Sequence, residues 1–310
     1  MELMLQESRE LTQQPGLEEL NARFIAYLDA KPRTIDTYNK ALRPFFSYTA
    51  RNGINKPIRE TVIAYRDSLK ETLKPSTVQT YIAALRLFFR WTAQEGLYPN
   101  IAEHIKGAKL DRNFKKDALT SSQAKAILKG IDRESITGKR DYALLTLMTS
   151  CGLRCIEVAR ANIEDIRTAG DSAALYIQGK GREEKTEYVK LARPVEEGIR
   201  EYLKARGKTE GKEPLFASHS NNNAGEALTT RSISGIVKGH MRAAGFDSER
   251  LTAHSLRHTA ATLNLLNGGS AQETQQLLRH SSVNTTLIYS HNLERAANHS
   301  EERIAAALFA

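Results

Sequence analysis

Residues 174–191 read ALYIQGKGREEKTEYVKL, and this stretch decides the fold class. Ala174 to Gln178 and Glu187 to Leu191 are short runs carrying the branched and aromatic side chains that suit a half-buried strand. Between them, Gly179-Lys180-Gly181-Arg182 supplies a turn, because glycine reaches backbone conformations closed to other residues. The expected element is an antiparallel hairpin, and helical patterns surround it on both sides. The fold class expected is mainly α with a small antiparallel β-sheet, an α+β arrangement.

Upstream, apolar side chains recur at helical spacing. Leu17, Leu20, Phe24 and Leu28 form one stripe, stopped before Lys31-Pro32. Thr34 can cap a second helix carrying Tyr38, Leu42, Phe45 and Tyr48, with Gly53 past its end. Residues 58–72 form a third through Ile58, Val62, Tyr65 and Leu69. Ser76 can cap a fourth, with Val78, Tyr81, Ile82, Leu85, Phe88, Phe89 and Trp91, ended by Gly96. Such helices bury a small core of their own, and their aromatic stripes are core rather than a ligand box. The stretch 105–117, IKGAKLDRNFKKD, has five Lys+Arg and no apolar period, so it reads as a basic linker. The expected organisation is a polar extension at 1–14, a helical domain at 15–104, the linker at 105–117, and a mixed domain at 118–310 ending in a helix. Helices in that second domain are expected at about 120–131, 138–150, 154–162, 194–206, 229–244, 254–267 and 271–279.

The 310 residues carry 45 Lys+Arg against 36 Asp+Glu, a formal net charge of +9, and both halves are basic. That excess fits a polyanionic partner, most simply nucleic acid, although a generally basic surface has the same composition. No window approaches the roughly 20 apolar residues of a membrane span, and Met1 to Pro15 lacks the apolar core of a signal peptide. The two cysteines, Cys151 and Cys155, exclude a disulfide framework and a four-cysteine zinc site. A reducing, cytoplasmic setting is expected.

Four segments carry chemistry. In Cys151-Gly152-Leu153-Arg154-Cys155-Ile156-Glu157-Val158 a glycine ends one helix and an arginine opens the next. A cation beside free backbone N–H groups suits a phosphate. Glu157, three residues on, shares the face and can orient the guanidinium; alone, the same segment is an ordinary exposed salt bridge. Lys180, between two glycines, is a mobile point charge with transferable protons. In His254-Ser255-Leu256-Arg257-His258-Thr259, His254 and Arg257 share a helix face, while His258 is expected on another face with a structural role. Residues 277–291, LLRHSSVNTTLIYSH, read as a helix end, a polar turn, and a new helix bearing Tyr289.

In this order and spacing, CGLRCIEV, the GKG turn, HSLRHT and LRHSSVNTTLIYSH resemble the tyrosine recombinase, or phage integrase, family. The resemblance covers the whole chain: a SAM-like helical core-binding domain that grips DNA, a linker, and the catalytic domain. It places the family's two arginines at Arg154 and Arg257, its lysine at Lys180, its histidines at His254 and His280, its nucleophile at Tyr289, and its supporting acidic residue at Glu157. Cys151 stands where threonine is usual, Cys155 where isoleucine or serine is common, and Arg279 where the family has glycine. The implied activity is site-specific cleavage and rejoining of DNA through a 3′-phosphotyrosine, in integration, excision or dimer resolution. The implied assembly is a homo-tetramer on two double-stranded DNA sites, or a hetero-tetramer with a paralogue, with room for accessory proteins. The protein is then nucleoid-associated when bound, with no membrane partner.

The chemistry asks for these residue types. A phenol of pKa near 10 is almost wholly protonated at neutral pH, so cations and a base must help it attack. Arg154, Arg257 and His280 can neutralise charge on the phosphate, His254 can accept the phenolic proton, and Lys180 can protonate the leaving oxygen. The covalent intermediate stores the phosphodiester energy, so no cofactor or metal is expected, and the sequence has no G-x-x-x-x-G-K-[ST] loop. A type IB topoisomerase uses the same chemistry without strand exchange. A non-catalytic DNA-binding relative should have lost at least one of the six catalytic side chains named above. The polar residues 1–14 are too short for a further DNA-binding domain, which favours a simple recombinase.

Overall fold

The computed structural model describes residues 16–109, 117–179, 182–207, 209–280, 282, 286–287, 289 and 299–309. The chain divides into two compact units, breaking after Asn113. The polar extension at 1–14 and Lys180 lie outside the described residues.

The first unit contains α1 (Leu17–Tyr27), α2 (Pro32–Arg51), α3 (Arg59–Thr72) and α4 (Pro75–Gln94). The sequence reading puts caps at Thr34 and Ser76, but α2 and α4 begin two residues and one residue earlier, on proline itself. Proline's fixed φ suits the first helical position and its missing N–H is not needed there, while Lys31 and Lys74 before it are held extended. Gly53 and Gly96 end α2 and α4 in the left-handed region, at φ 64° and 68°. The core is aromatic: Phe24 meets Phe88 edge-on at 5.4 Å between centroids, and Phe45 meets Phe89 at 5.9 Å and 89°. At the margin of the stretch 105–117, Ile105 is buried with this core, and residues 110–116 are not among those described.

The second unit opens with α5 (Ser121–Lys129), capped by Thr120, whose hydroxyl accepts from the Gln123 backbone at 3.2 Å while Gln123 Oε1 accepts from Thr120 N. Next come α6 (Ile136–Cys151), α7 (Cys155–Ala159) and a 3₁₀ turn at Ile163–Asp165. The sheet has three antiparallel strands in sequential order, β1 (Ile166–Ala169), β2 (Ser172–Ile177) and β3 (Glu187–Lys190). The sequence reading lacks β1 and takes α7 through residue 162. It also expects a tight turn between β2 and β3, whereas the connection runs from Gln178 to Thr186. The paired strands set Leu175 opposite Val189 and Tyr176 opposite Tyr188.

Helices α8 (Arg193–Arg206), α9 (Thr230–Ala243), α10 (Ala253–Leu266), α11 (Ala271–Leu278) and α12 (Ser300–Phe309) complete the unit. Leu144, Leu145, Leu147 and Met148 of α6 form the centre of the core with Ile199 and Tyr202 of α8, Val237 and Met241 of α9, and Leu256 of α10. Helix α10 packs against both α6 and α11 and buries every residue from Ser255 to Ala261, polar ones included. A helix with buried polar residues at its centre positions them for use rather than for solvation.

Candidate active site

Four turns and one helix bring the sequence-predicted residues together. Gly152 ends α6 at φ 59°, and a Cβ there would sit 2.6 Å from Leu278 Cδ2, so the position needs glycine both for its backbone and for the close approach of α11. The turn is tied to α11 through Arg257, a buried residue of α10. Its Nη1 donates to the Gly152 carbonyl at 2.5 Å and its Nη2 donates to the Leu278 carbonyl. One guanidinium therefore locks the two motif-bearing turns to α10.

Arg154 caps α7 and stays 29% exposed, while Glu157 behind it is fully buried. Glu157 Oε2 accepts from the Arg154 backbone N–H at 2.8 Å, and Oε1 accepts from Arg154 Nη1 at 2.7 Å. Sequence spacing foretells this pair. It does not foretell Arg279, whose Nη2 donates to the same Glu157 Oε2 at 2.9 Å from 122 residues away. Arg279 adopts a left-handed conformation at the end of α11 (φ 53°, ψ 48°), donates through Nη1 to the Leu277 carbonyl at 2.6 Å, and keeps its side chain only 7% exposed. Burial pushes the Glu157 carboxyl up, but Arg279, the Arg154 N–H and the Arg154 guanidinium outweigh it, and the net shift is downward. Burial, with Arg154 and Arg279 nearby, pushes Arg257 down from its ordinary value, yet it remains charged near pH 7.

The left-handed bend at Arg279 presents His280. Its backbone N–H reaches the Gln275 carbonyl at 3.1 Å, its carbonyl accepts from Gln275 Nε2 at 3.0 Å, and its Nδ1 lies 3.0 Å from the buried hydroxyl of Thr286. Burial, followed by the charges of Arg257, Arg154 and Arg279, holds the His280 imidazole down at about 4. Thr286, Leu287 and Tyr289 are helical, and Tyr289 is buried. Burial raises its phenol to about 12, against the lowering pull of Arg257 and Arg154.

The phenol contacts a residue that the sequence reading treats as structural. His258 Nδ1 lies 2.5 Å from Tyr289 Oη. His254 sits one turn earlier on α10, toward solvent, its ring perpendicular to that of His258 at 4.7 Å between centroids. His258 was expected to face away from His254, and this is corrected: residues at i and i+4 share a helix face as fully as those at i and i+3. Desolvation by the surrounding protein, with Arg257 and Arg154, lowers His254 as well. Arg154, Glu157, His254, Arg257, His280 and Tyr289 thus converge, joined by His258 and Arg279. Three guanidiniums and one carboxylate leave a net positive site, and neutral imidazoles beside a phenol offer lone pairs to a proton. The β2–β3 loop is described up to Gly179 and from Arg182, where Gln178 Nε2 donates to the Arg182 and Glu183 carbonyls at 2.9 and 3.0 Å.

Cys151 is buried and its thiol is pushed up to about 12 by burial, so it is a packing residue. Among the described residues no cluster of His, Cys, Asp and Glu could hold a metal ion. No described helix is long and apolar enough to cross a membrane.

Residues 117–295 match the family model described as "Phage integrase family", and residues 22–96 match "Phage integrase, N-terminal SAM-like domain". A tyrosine recombinase XerC from Caldanaerobacter subterraneus subsp. tengcongensis is 36% identical over 176 residues, 56% of this chain and 46% of the relative. One from Pelobacter propionicus is 36% identical over 174 residues, 56% of this chain and 54% of the relative. The chain thus spans about half the length of these curated relatives. Among solved structures, XerH site-specific recombinase bound to a palindromic difH substrate has a TM-score of 0.72 at 24% identity, covering 88% of this chain and 81% of that one. A lambda integrase tetramer bound to a Holliday junction has a TM-score of 0.70 at 17% identity, covering 90% and 78%. At these identities the likeness is one of fold, helical SAM-like domain and mixed catalytic domain alike.

Proposed function

Since the chain belongs to the phage integrase family, we propose that it is a site-specific tyrosine recombinase acting on double-stranded DNA. The observation that carries the reading is the buried Tyr289 phenol, surrounded by the charges of Arg154 and Arg257 and in contact with an imidazole. Tyr289 Oη attacks a DNA phosphorus, the bond from phosphorus to the 5′-oxygen breaks, and a 3′-phosphotyrosine forms. The 5′-hydroxyl of another strand reverses the step, so no external energy source or cofactor enters. Arg154, Arg257 and His280 hold the non-bridging oxygens, Lys180 protonates the leaving oxygen, and the phenolic proton leaves toward α10, where the sequence assigns His254 as acceptor.

Magnitudes support the need for these groups. With its pKa raised to about 12, forming free phenolate at pH 7 costs roughly 7 kcal/mol at ~1.36 per unit. Preorganised donors on a developing oxyanion are each worth roughly 3–4 kcal/mol, so two or three offset it. Glu157 keeps Arg154 extended toward the phosphate and is itself held by Arg279.

The active assembly is a homo-tetramer on two DNA sites, or a hetero-tetramer with a paralogue. What supports this is α12, none of whose residues is buried; Ile304, Leu308 and Phe309 are 59%, 70% and 85% exposed. An apolar cluster of this kind at a chain end fits packing against a neighbouring protomer, and cyclic exchange closes such contacts into a ring. The basic charge of +9 supplies the phosphate contacts.

The test is to mix the full chain with a library of randomised duplexes, denature in detergent, and sequence the DNA that stays attached. A shared core sequence joined through its 3′ end is expected. No DNA surviving denaturation overturns the enzyme, and attachment without sequence preference, with relaxation of any supercoiled plasmid, turns the reading to a topoisomerase.

A further inference from the structure

We infer that His258 is a catalytic residue, the group whose Nδ1 takes the phenolic proton from Tyr289 as the phosphotyrosine bond forms. The inference rests on the recombinase reading and deepens it. Three observations lead to it. Tyr289 Oη and His258 Nδ1 are 2.5 Å apart and both side chains are buried, so no water need stand between them. The ring centroids are 5.3 Å apart, with the planes tilted by 47°. His254, the acceptor assigned from sequence, is stacked edge-on against the far side of this pair and meets His258. A general base must lie within hydrogen-bond reach of the proton it removes, and His258 meets that condition.

Charge decides the direction of the bond. Burial, then His254, Arg257 and His280, hold the His258 imidazole at about 4. Those groups come from α10 itself and from the turn after α11, and Tyr289 faces it from its own helical turn. The imidazole is therefore neutral at pH 7, and the phenol, at about 12, holds its proton and donates to Nδ1. The gap of about eight pKa units means the proton does not leave ahead of attack. It moves as the oxygen bonds to phosphorus, because an oxygen bearing a partial bond to phosphorus is a far stronger acid than the free phenol.

The step balances. The Tyr289 O–H bond breaks and an N–H bond forms at His258 Nδ1; an O–P bond forms at Tyr289 and the bond from phosphorus to the 5′-oxygen breaks. That oxygen leaves with a proton from Lys180. In the rejoining step the imidazolium returns its proton to the departing phenol. Arg154 and Arg257 carry the phosphate's charge, and the phosphate's arrival offsets the two cations that disfavour a charged His258.

Two measurements test the inference. The first needs no DNA: nitrogen NMR of histidine-labelled full chain. His258 should show an accepting Nδ1, and Tyr289→Phe should change its ring-nitrogen shifts and raise its pKa. Unchanged His258 signals would overturn the contact. The second uses the duplex recovered by covalent trapping. His258→Asn keeps an oxygen near the position of Nδ1, so it can hold the phenol yet cannot take its proton. Adduct formation at pH 7 should fall about 100-fold with DNA binding unchanged, and the deficit should shrink as pH rises and hydroxide replaces the base. A wild-type rate in His258→Asn, or a deficit equal at every pH, overturns the role. If that variant fails to fold, His258→Gln is read the same way. A wild-type chain that forms no adduct at all refutes the recombinase reading instead, while the NMR result still judges the contact.

Discussion

Replacing Glu157 by glutamine should cost more stability than its place in a surface-lying motif implies. The carboxylate is 0% exposed and receives three hydrogen bonds, from the Arg154 backbone at 2.8 Å, Arg154 Nη1 at 2.7 Å and Arg279 Nη2 at 2.9 Å. Glutamine keeps the shape but removes the charge, and its amide donors face guanidinium donors. Arg279, at 7% exposure, is then a buried cation without a counter-charge. Removing one partner of a buried pair costs about 3–5 kcal/mol. The Arg154 arm, at 29% exposure, contributes the smaller share because solvent screens it. At roughly 2–4 °C per kcal/mol for a unit of this size, the Tm of the second unit should fall by roughly 6–20 °C. The pH dependence has a definite sign. The folded-state pKa of Glu157 is depressed, so its contribution is complete above the ordinary carboxylate pKa and disappears as pH falls through the lower folded value. The gap between wild type and Glu157→Gln, measured by calorimetry of the full chain, should be constant from pH 6 to 7 and close below about 4. Arg279→Gly should cost less than Glu157→Gln, since glycine is at ease at φ 53° and the carboxylate keeps Arg154. A Glu157→Gln melt within about 1 °C of wild type at pH 7 would refute the reasoning.

Three further outcomes follow from the site. Lys180→Ala should slow cleavage strongly, but far less on a duplex with sulfur at the 5′-bridging position, because a thiolate leaves without an acid; equal losses on both would show that Lys180 only binds. Thr286→Val should leave the fold in place at a cost of about 1–2 kcal/mol yet slow cleavage, because a Thr286 hydroxyl donating to His280 Nδ1 keeps the ring proton on Nε2, toward the phosphate; unchanged single-turnover cleavage would remove that role. Deleting residues 300–310 should preserve the melt and one-site DNA binding while cooperative assembly on a two-site duplex fails, as read by gel shift; a much lower melt with lost one-site binding would make α12 part of its own core.

The sequence made the helices of the first unit legible because each buries a stripe at helical spacing, with Phe24, Phe45, Phe88 and Phe89 in one core. Helix starts were off because proline, not the threonine or serine after it, sets the first turn. Strand β1 was missed for a physical reason: Ile166–Ala169 is four residues long and has no clean alternation of buried and exposed positions. In the site, spacing revealed Arg154 with Glu157 and His254 with Arg257, since those pairs are local. The contacts that sequence could not reveal are long-range: Arg279 to Glu157 across 122 residues and Tyr289 to His258 across 31. The signal for His258 was present at i+4 from His254, and the bland core reading of a second histidine concealed it.

The central claim is that Tyr289 becomes covalently joined to DNA. Protein trapped on DNA can be digested with protease and nuclease, and the peptide bearing the residual nucleotide sequenced by mass spectrometry. The account predicts a nucleotide linked through its 3′-phosphate to Tyr289, absent from Tyr289→Phe, which should still shift duplex DNA with wild-type affinity. A nucleotide on any other side chain, or an adduct that persists in Tyr289→Phe, would contradict it.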